Sequence, residues 1–508
     1  MIMSDGNSKS VLVVFQGIGL MVLCGLLTWS LSGHIDQSLL TLIFIFLLGT
    51  LALTSPSAAI VITFVFLAAL GDIRRLMLYY VGPVQYDTLL LVGPVVAGIL
   101  FVLALFQGKL EAKNMLGRLI QILMIIMVIQ IFNPIQGGLL VGIGGAIFYL
   151  VPLMWFWVGQ RFGTQHLLHV ILFRVMVTVA VVAALFGIYQ IFVEYPPYQE
   201  SWITSLAGQS FGSLVRNRPF AFFTSPPEFA WYCSAASTVV LSGLVIKKFK
   251  PQMLFAPVLI FGAFLQSGRG ATIANIVALV GIWGMRRRAG ETSISLPRVI
   301  TVGVIFVGAY IGTLVFLSSA SDFDDRIAPI IAHQTEMLDP MHTTAVDHSQ
   351  LIYVGIVGSF TTDPAGLGLG STTLASGKMG GAGAVAGGTE TDVSNIFSAL
   401  GPAGGIIYVM VLFQVVKMIL RNIRNTETTE GLALLGFFIC VAGQWLSGQC
   451  YSIAGMLWFC IGTVHRIELD REREMLPLSH GVPLLPPVRR QTRSQALRRP
   501  MRAAPGAM

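Results

Sequence analysis

Charged residues are scarce in this chain. Asp, Glu, Lys and Arg make up 11% of its 508 residues, whereas an average soluble domain has about 25%. Hydrophobic residues make up 55%, so the composition excludes an ordinary soluble domain. Cysteine is also scarce: the five cysteines lie in or at the ends of apolar runs, without metal-ligand spacing and without a paired arrangement in a polar loop. We therefore expect neither a zinc site nor disulfides.

The sequence also lacks the period-two alternation of a membrane β-barrel and a cleavable signal peptide. The first apolar run, about 11–31, is followed by Ser-Gly-His rather than by a cleavage site, so we expect it to remain as a helix. Apolar runs of about 20 residues recur along the chain, and each is long enough to cross a hydrocarbon layer of roughly 30 Å. Because only helices or closed barrels satisfy the backbone in lipid, the sequence predicts an all-α polytopic membrane protein.

We predict about 12–14 transmembrane helices. The candidate segments are 11–31, 38–53, 56–70, 85–106, 118–133, 138–158, 165–192, 227–246, 252–267, 270–285, 297–318, 395–420, 430–447 and 449–464. Basic residues in short loops mark the cytoplasmic side, and they put both termini there. The first outer loop, 193–226, and one large extracytoplasmic loop, 318–395, then lie on the opposite side. The membrane domain is predicted to span 1–464, followed by a basic, disordered cytoplasmic tail over 465–508.

The net charge of +8 does not indicate nucleic-acid binding. From Arg466 onward the chain has nine Arg against three Glu and one Asp, a net charge of +5 in the tail. A basic tail after a last membrane helix is typical of a cytoplasmic anchor on anionic lipid. Binding of a protein partner by the tail is the alternative.

The outer loop 318–395 carries most of the interior acids and histidines. The candidate catalytic residues are Glu390, Asp392 and His348, and secondary candidates there are Asp325, Arg326 and Asn395. Glu390 and Asp392 directly precede a predicted helix, where carboxylates act either as a general base or simply as helix caps. The loop histidines are too irregularly spaced to predict a metal site. The glycines of 366–371 lack the Gly-Lys-Ser/Thr ending of a nucleotide-binding loop, so we predict no nucleotide and no other cofactor.

Arginines on the predicted outer side are candidates for binding an anion. Arg269 lies between two glycines at a predicted helix start, where free N–H groups and the helix dipole favour phosphate. The alternative is an arginine that reaches from the membrane to the headgroup layer. The adjacent Arg74 and Arg75 follow Asp72, and they are either substrate-binding residues or members of a local surface pair.

Arg216 and Arg218 precede an aromatic, proline-punctuated stretch that re-enters the membrane at about 219–230. A lipid-linked phosphate needs cations for its head and apolar surface for its chain. An interfacial aromatic belt with anchoring arginines is the alternative. Glu228 lies near the start of a membrane helix and is costly there unless it is paired, and we predict Arg216 or Arg218 as its partner.

Four stretches together resemble the Wzy-type polysaccharide polymerases and O-antigen ligases of bacterial envelopes. Arg216–Phe229 is similar to the family's Arg…Gly-Thr-Phe…Pro-Asn…Phe-Ala segment, and Gln266–Ala271 to its Ser-Arg-Gly-Ala segment. Asp363–Gly370 is like its Pro-x-Gly-x-Gly-x-Gly segment, and Asn395–Gly405 is like its Asn-x-Tyr…Gly-x-x-Gly helix start. The likeness covers residues 200 to 420, roughly, with the stretches in the family's order.

The resemblance implies a glycosyltransferase of the membrane C-type fold in the bacterial inner membrane. It implies transfer from undecaprenyl diphosphate-linked oligosaccharides at the outer leaflet, without nucleotide sugar or metal, in exopolysaccharide or O-antigen synthesis. Arg216, Arg218 and Arg269 would bind the diphosphate. Membrane lipid is an expected partner, and a chain-length regulator or a flippase are possible protein partners.

The sequence departs from the family where O-antigen ligases have His-Asn or His-Ser before the closing helix. Here that place reads Glu390-Thr391-Asp392-Val393-Ser394-Asn395, which favours a polymerase with an acidic base, although His348 offers another base. A ligase that moves finished polymer to an acceptor is the nearest alternative. A transporter or flippase of lipid-linked saccharide is the alternative from another class, but the predicted helix centres contain few of the charges that would line its path. A non-catalytic envelope scaffold is a third.

Overall fold

The computed structural model describes the chain from Gln37 to Met475 with gaps. The described residues are 37–82, 87–107, 114–205, 218–245, 254–266, 269–288, 304, 308, 311–319, 331, 344–380, 391–426, 429–446 and 451–475. Within these ranges the regular structure is helical, without a strand.

The helices are numbered here in chain order. They are α1 Gln37–Thr54, α2 Pro56–Val81, α3 Val92–Phe106, α4 Met115–Gln130, α5 Leu139–Phe162, α6 Gln165–Phe192, α7 Pro197–Thr204, α8 Pro226–Val245, α9 Ala256–Leu265, α10 Arg269–Arg288, α11 Thr344–Thr361, α12 Leu374–Met379, α13 Asp392–Thr426, α14 Thr429–Cys440 and α15 Tyr451–Met475. A short 3-10 turn, Thr88–Leu91, leads into α3, and α6 contains a π-helical stretch, Val170–Met176.

The prediction of an all-helical, apolar architecture is confirmed in the described part of the chain. Six helices there are long and apolar enough to cross a membrane: α1, α2, α3 with its leading 3-10 turn, α5, α6 and α13. The predicted segment 11–31 lies outside the described residues, and 297–318 is described only in part, with 311–319 helical. The sequence prediction missed α11, which lies inside the predicted outer loop. Its first two turns, Thr344 to Gln350, contain polar residues, and these shorten the apolar run to the half that follows.

Two glycines let helices of the core approach closely. A Cβ at Gly159 of α5 would lie 2.1 Å from the carbonyl oxygen of Phe459, and one at Gly462 of α15 would lie 1.9 Å from that of Phe156. Only glycine permits this backbone contact, which is the usual role of small residues between membrane helices. The buried rings of Trp155 and Phe459 pack beside the contact, with centroids 6.5 Å apart.

Side-chain contacts sort the helix termini into two opposite ends of the bundle. At one end, Glu228 at the start of α8 bonds to Ser452 at the start of α15. At the other end, His465 in the second half of α15 contacts Asn114, just before α4, and Gln160, near the end of α5. We call these the Glu228 end and the His465 end.

The Glu228 end also collects the candidate segments. Arg74 near the end of α2 pairs with Asp87, which in turn accepts a hydrogen bond from Gln37 at the start of α1. Asp392 at the start of α13 accepts one from the amide of Leu446, six residues before Ser452. The resembling stretches 218–225 and 363–370 also pack at this end: Thr224 donates to Glu228, and Leu367 donates to the carbonyl oxygen of Ser398 in the first two turns of α13.

Candidate functional site

The glycine-rich segment is bound to the protein through its own amides. Leu367 and Gly368 donate to the carbonyl oxygens of Ser398 and Ala399 at 2.9 and 3.0 Å. Leu369 donates to the carbonyl of Gln130, and Gly370 donates to the side chain of Gln136 at 2.9 Å. A phosphate-binding loop needs free amides that point at the ligand. The segment instead joins α4, α5 and α13, so its role in this structure is to dock these helices.

Glu228 joins the starts of two helices. Its carboxylate accepts from the amide and hydroxyl of Thr224 at 3.1 and 2.5 Å, and from the amide and hydroxyl of Ser452 at 2.7 and 2.6 Å. The side chain is fully buried. We predicted Arg216 or Arg218 as its partner, and this was wrong for Arg218: the hydrogen bonds that Glu228 accepts in the described part of the chain come from Thr224 and Ser452. Four donors compensate a buried carboxylate without a cation.

Arg75 is enclosed by the protein, with 2% of its side chain exposed. Its guanidinium donates to Asp72 at 3.2 Å and to the carbonyl oxygen of Phe223 at 2.7 Å. The guanidinium carbon lies 4.5 Å from the ring centroid of Trp202 and 4.1 Å from that of Phe220. Planar guanidinium groups favour such aromatic faces. Arg75 therefore holds the chain around Phe220 against α2 and is not open to a ligand.

Arg74 differs from its neighbour in exposure. Its Nε bonds to Asp87, and 28% of the Arg74 side chain and 22% of the Asp87 side chain are exposed. A partly exposed ion pair contributes little to stability because solvent screens it. Because part of the Arg74 side chain is exposed whereas Arg75 is enclosed, Arg74 is the member of this pair that an anion can reach.

A buried amide network holds the turn that follows Arg218. The side-chain oxygen of Gln190 accepts from the amides of Phe220 and Ala221 at 3.1 and 2.8 Å. The side chain of Gln199 donates to the carbonyl oxygen of Ala221 at 3.0 Å and to Asp72 at 2.7 Å. Gln190 and Gln199 are themselves joined at 2.7 Å.

Tyr198 completes the contacts to α2. Its hydroxyl donates to Asp72 at 2.8 Å. Burial and the Asp72 carboxylate raise the pKa of Tyr198 above its ordinary value, so the phenol stays protonated and remains a donor at any physiological pH. Asp72 thereby accepts from Arg75, Tyr198 and Gln199 together, and it joins α2 to α7.

No protein-family model, curated protein or solved structure matches this chain. The function must therefore be argued from the Glu228 end itself.

Asp392, a predicted catalytic residue, is fully buried. One carboxylate oxygen accepts from the amide of Leu446 at 2.6 Å, and the amide of Asp392 donates to the carbonyl oxygen of Gly443 at 2.8 Å. The second oxygen accepts no hydrogen bond from the described residues. These contacts attach the start of α13 to the turn after α14. They favour an anchoring role for Asp392, so Glu390 and His348 remain the candidates for the base.

Several predicted site residues are described only in part or not at all. Arg216, Asp325, Arg326 and Glu390 lie outside the described residues. Arg269 is the first residue of α10 and His348 lies in α11, but only their backbone is described. Arg218 is partly buried, and Asn395 is buried in the first turn of α13. Among the described residues, no group of three or more His, Cys, Asp or Glu side chains is arranged to hold a metal ion.

The start of α10 lies at the Glu228 end. The side-chain oxygen of Asn275, in the second turn of α10, lies 4.0 Å from the sulfur of Cys440 at the end of α14. Leu446, six residues after Cys440, donates its amide to Asp392. The structure thus gathers the starts of α8, α10 and α13 with the end of α2. It does not show Arg269, His348 and Glu390 in contact, because their side chains are outside the described part.

The sequence prediction missed the residues that build the network. Gln190 and Gln199 were overlooked, and Asp72 was considered only as a local partner of the arginine pair. The available signal was a glutamine near the end of an apolar helix, followed by Pro196-Pro197 and a second glutamine. A polar side chain in such a helix is costly unless it has a partner.

Proposed function

We propose that this protein is a polysaccharide polymerase of the bacterial inner membrane. It joins oligosaccharide repeat units linked to undecaprenyl diphosphate, at the outer leaflet. One repeat unit on its lipid carrier is the donor, and a hydroxyl of a second lipid-linked unit is the acceptor. The glycosidic bond to the diphosphate breaks, a new glycosidic bond forms, and the lipid diphosphate leaves.

The observation that supports this proposal most is the gathering of basic segments at the Glu228 end. Arg74 is partly exposed there, and Arg218 begins the turn that packs on α2. The helix that Arg269 begins has its first turns at the same end. Negative charge grows on the diphosphate as the glycosidic bond breaks, and fixed cations are worth most where charge develops.

The remaining groups have distinct roles in the proposal. Arg74, Arg218 and Arg269 bind the diphosphate, and Arg216 is the further candidate. Glu390, or His348 in its place, removes the proton from the attacking hydroxyl. Arg75, Glu228 and Asp392 shape the site from inside, since each is buried and engaged with the protein's own groups.

Incubation of the purified protein with lipid-linked repeat units, without nucleotide, tests the proposal. We expect a ladder of products that differ by one repeat unit. A ligase would instead move a saccharide to a separate acceptor and would give no ladder when only lipid-linked units are present. If the protein forms no product from lipid-linked units, with or without a separate acceptor, the proposed function is contradicted.

A further inference from the structure

The turn after Arg218 contains an unusual backbone conformation. Ala221 has a φ of +48°, and it is the sole residue other than glycine with a positive φ in the described part of the chain. An alanine side chain disfavours this left-handed region, whereas glycine enters it freely. Such a conformation persists only where the surrounding structure over-determines it, and it is most often found at functional sites.

The contacts that hold Ala221 are specific to its conformation. Its amide is bound by Gln190, and its carbonyl oxygen is bound by Gln199. Both glutamines are fully buried. The next peptide is held as well, because Phe222 accepts a hydrogen bond from the amide of Asp72 at 3.1 Å. The turn is thus fixed from α2, α6 and α7 at once.

The same contacts extend to the backbone of Arg218. Its carbonyl oxygen accepts from the hydroxyl of Tyr195 at 3.1 Å, and the Tyr195 ring stacks on Phe220 at a centroid distance of 5.4 Å. Phe220 donates its amide to Gln190 and faces the guanidinium of Arg75. A shift of the turn would therefore shift Arg218 with it.

We infer that Gln190, Gln199 and Asp72 are positioning residues, which hold the strained turn so that Arg218 meets the diphosphate. This inference rests on the proposed function. If the network served stability alone, glycine at position 221 would relieve the strain and the buried glutamines would be unnecessary. None of the three touches the substrate; each acts through the backbone of residues 218–222.

Substitution of Gln199 by methionine tests the inference, because methionine keeps the volume and removes the hydrogen bonds to Asp72 and Ala221. Glu200→Met is the matched control, since Glu200 is the exposed neighbour on the same helix. We expect Gln199→Met to lower kcat for chain extension roughly 10- to 100-fold, as a small misplacement of a binding group does. Glu200→Met should extend chains at the wild-type rate.

Addition of Ala221→Gly to Gln199→Met separates positioning from stability. Glycine restores access to the positive φ without the hydrogen bonds, so we expect kcat to recover roughly 5- to 10-fold. The thermal unfolding midpoint should recover only in part, because the entropy that glycine adds to the unfolded chain offsets much of the relieved strain. If kcat follows the unfolding midpoint in all variants, or if Gln199→Met leaves kcat unchanged, the inference is wrong.

A spin label on Arg218→Cys, with the five native cysteines replaced by alanine, provides a readout that is independent of catalysis. We expect the label to become more mobile when Gln199→Met is added and to stay unchanged when Glu200→Met is added. Equal mobility in both variants would overturn the inference. If the wild-type protein makes no product, the proposed function fails, and this label still decides whether the network fixes Arg218.

Discussion

Two irregular segments dock at the same end of this bundle, and they are held by different means. The turn 218–225 is fixed by charged and polar side chains, chiefly Arg75 and the Gln190–Gln199 pair. The glycine-rich segment 364–373 is fixed chiefly through its backbone: its amides donate to carbonyl oxygens, and a Cβ at Gly370 would lie 2.0 Å from the carbonyl oxygen of Val141. The side chains of Gln130, Asn133 and Gln136 add hydrogen bonds to that backbone. The first kind of docking sets where a neighbouring cation lies, and the second sets how closely helices pack.

The difference also assigns roles to the two motifs. The amides of the glycine-rich segment donate to other groups of the protein, so the segment contributes to the site only by holding α4, α5 and α13 together. The turn keeps a strained residue and borders two arginines, one buried and one partly exposed. Under the proposed function the substrate binds beside the turn, and the glycine-rich segment holds the surrounding helices.

The largest effect is expected from Arg75→Ala. It leaves Asp72 with one fewer buried donor and opens space beside Trp202 and Phe220. Removal of one partner from a buried pair costs about 3–5 kcal/mol, so the thermal unfolding midpoint in detergent should fall sharply. The unfolding midpoint of Arg75→Lys should fall less, because lysine keeps the charge, although it loses the planar contact with the rings. Equal midpoints for Arg75→Ala and the wild type would show that Arg75 does not hold the turn against α2.

Gly370→Ala should destabilise nearly as much, by steric overlap. The added methyl would meet the backbone of Val141, which cannot move as a side chain tip can, and we expect a loss of about 3 kcal/mol. Gly358→Ala is the control, because nothing lies within 4 Å of its Cβ position and it lies in α11. The control should be neutral or stabilising by up to about 1 kcal/mol. Similar unfolding midpoints for the two variants would contradict the docking role of the glycine-rich segment.

Glu228→Gln should have a smaller effect. The amide retains one acceptor oxygen for either Thr224 or Ser452 but presents an NH₂ group to the other pair of donors. Loss of those bonds in a buried site costs about 1–3 kcal/mol, which unfolding midpoints should reveal. Because the contacts involve hydroxyls and amides, a compensating Arg218→Gln in the same chain should restore nothing. Recovery of the unfolding midpoint in the double variant would support the predicted ion pair between Glu228 and Arg218.

Arg74→Ala should change stability least, by less than about 1 kcal/mol, because its ion pair with Asp87 is partly exposed. Under the proposed function, the same variant should lose chain extension, measured as product per folded molecule. The contrast with Arg75→Ala is then complete: one arginine changes the unfolding midpoint, and the other changes the reaction. Normal chain extension by Arg74→Ala would show that Arg74 does not bind the diphosphate.

The sequence predicted the helices well because apolar length is a strong local signal. It missed α11 because the polar residues from Thr344 to Gln350 interrupt that signal. The site was harder to predict, since its partners are distant in the chain: Arg75 meets Phe223, and Glu228 meets Ser452. A sequence shows that Glu228 needs compensation in the membrane, but not that hydroxyls and amides would provide it. It also cannot separate Arg74 from Arg75, which are adjacent in the chain but differ in burial and in their partners.

The central claim is that the turn 218–225, the glycine-rich segment and the start of α13 share one end of the bundle, on the outer side of the membrane. Single cysteines at the exposed positions Glu200, Thr362 and Arg118 test it in intact cells with a membrane-impermeant thiol reagent. We predict that Glu200→Cys and Thr362→Cys are labelled from outside and that Arg118→Cys, at the His465 end, is labelled only after the membrane is opened. Labelling of Glu200→Cys and Thr362→Cys from opposite sides would contradict the account.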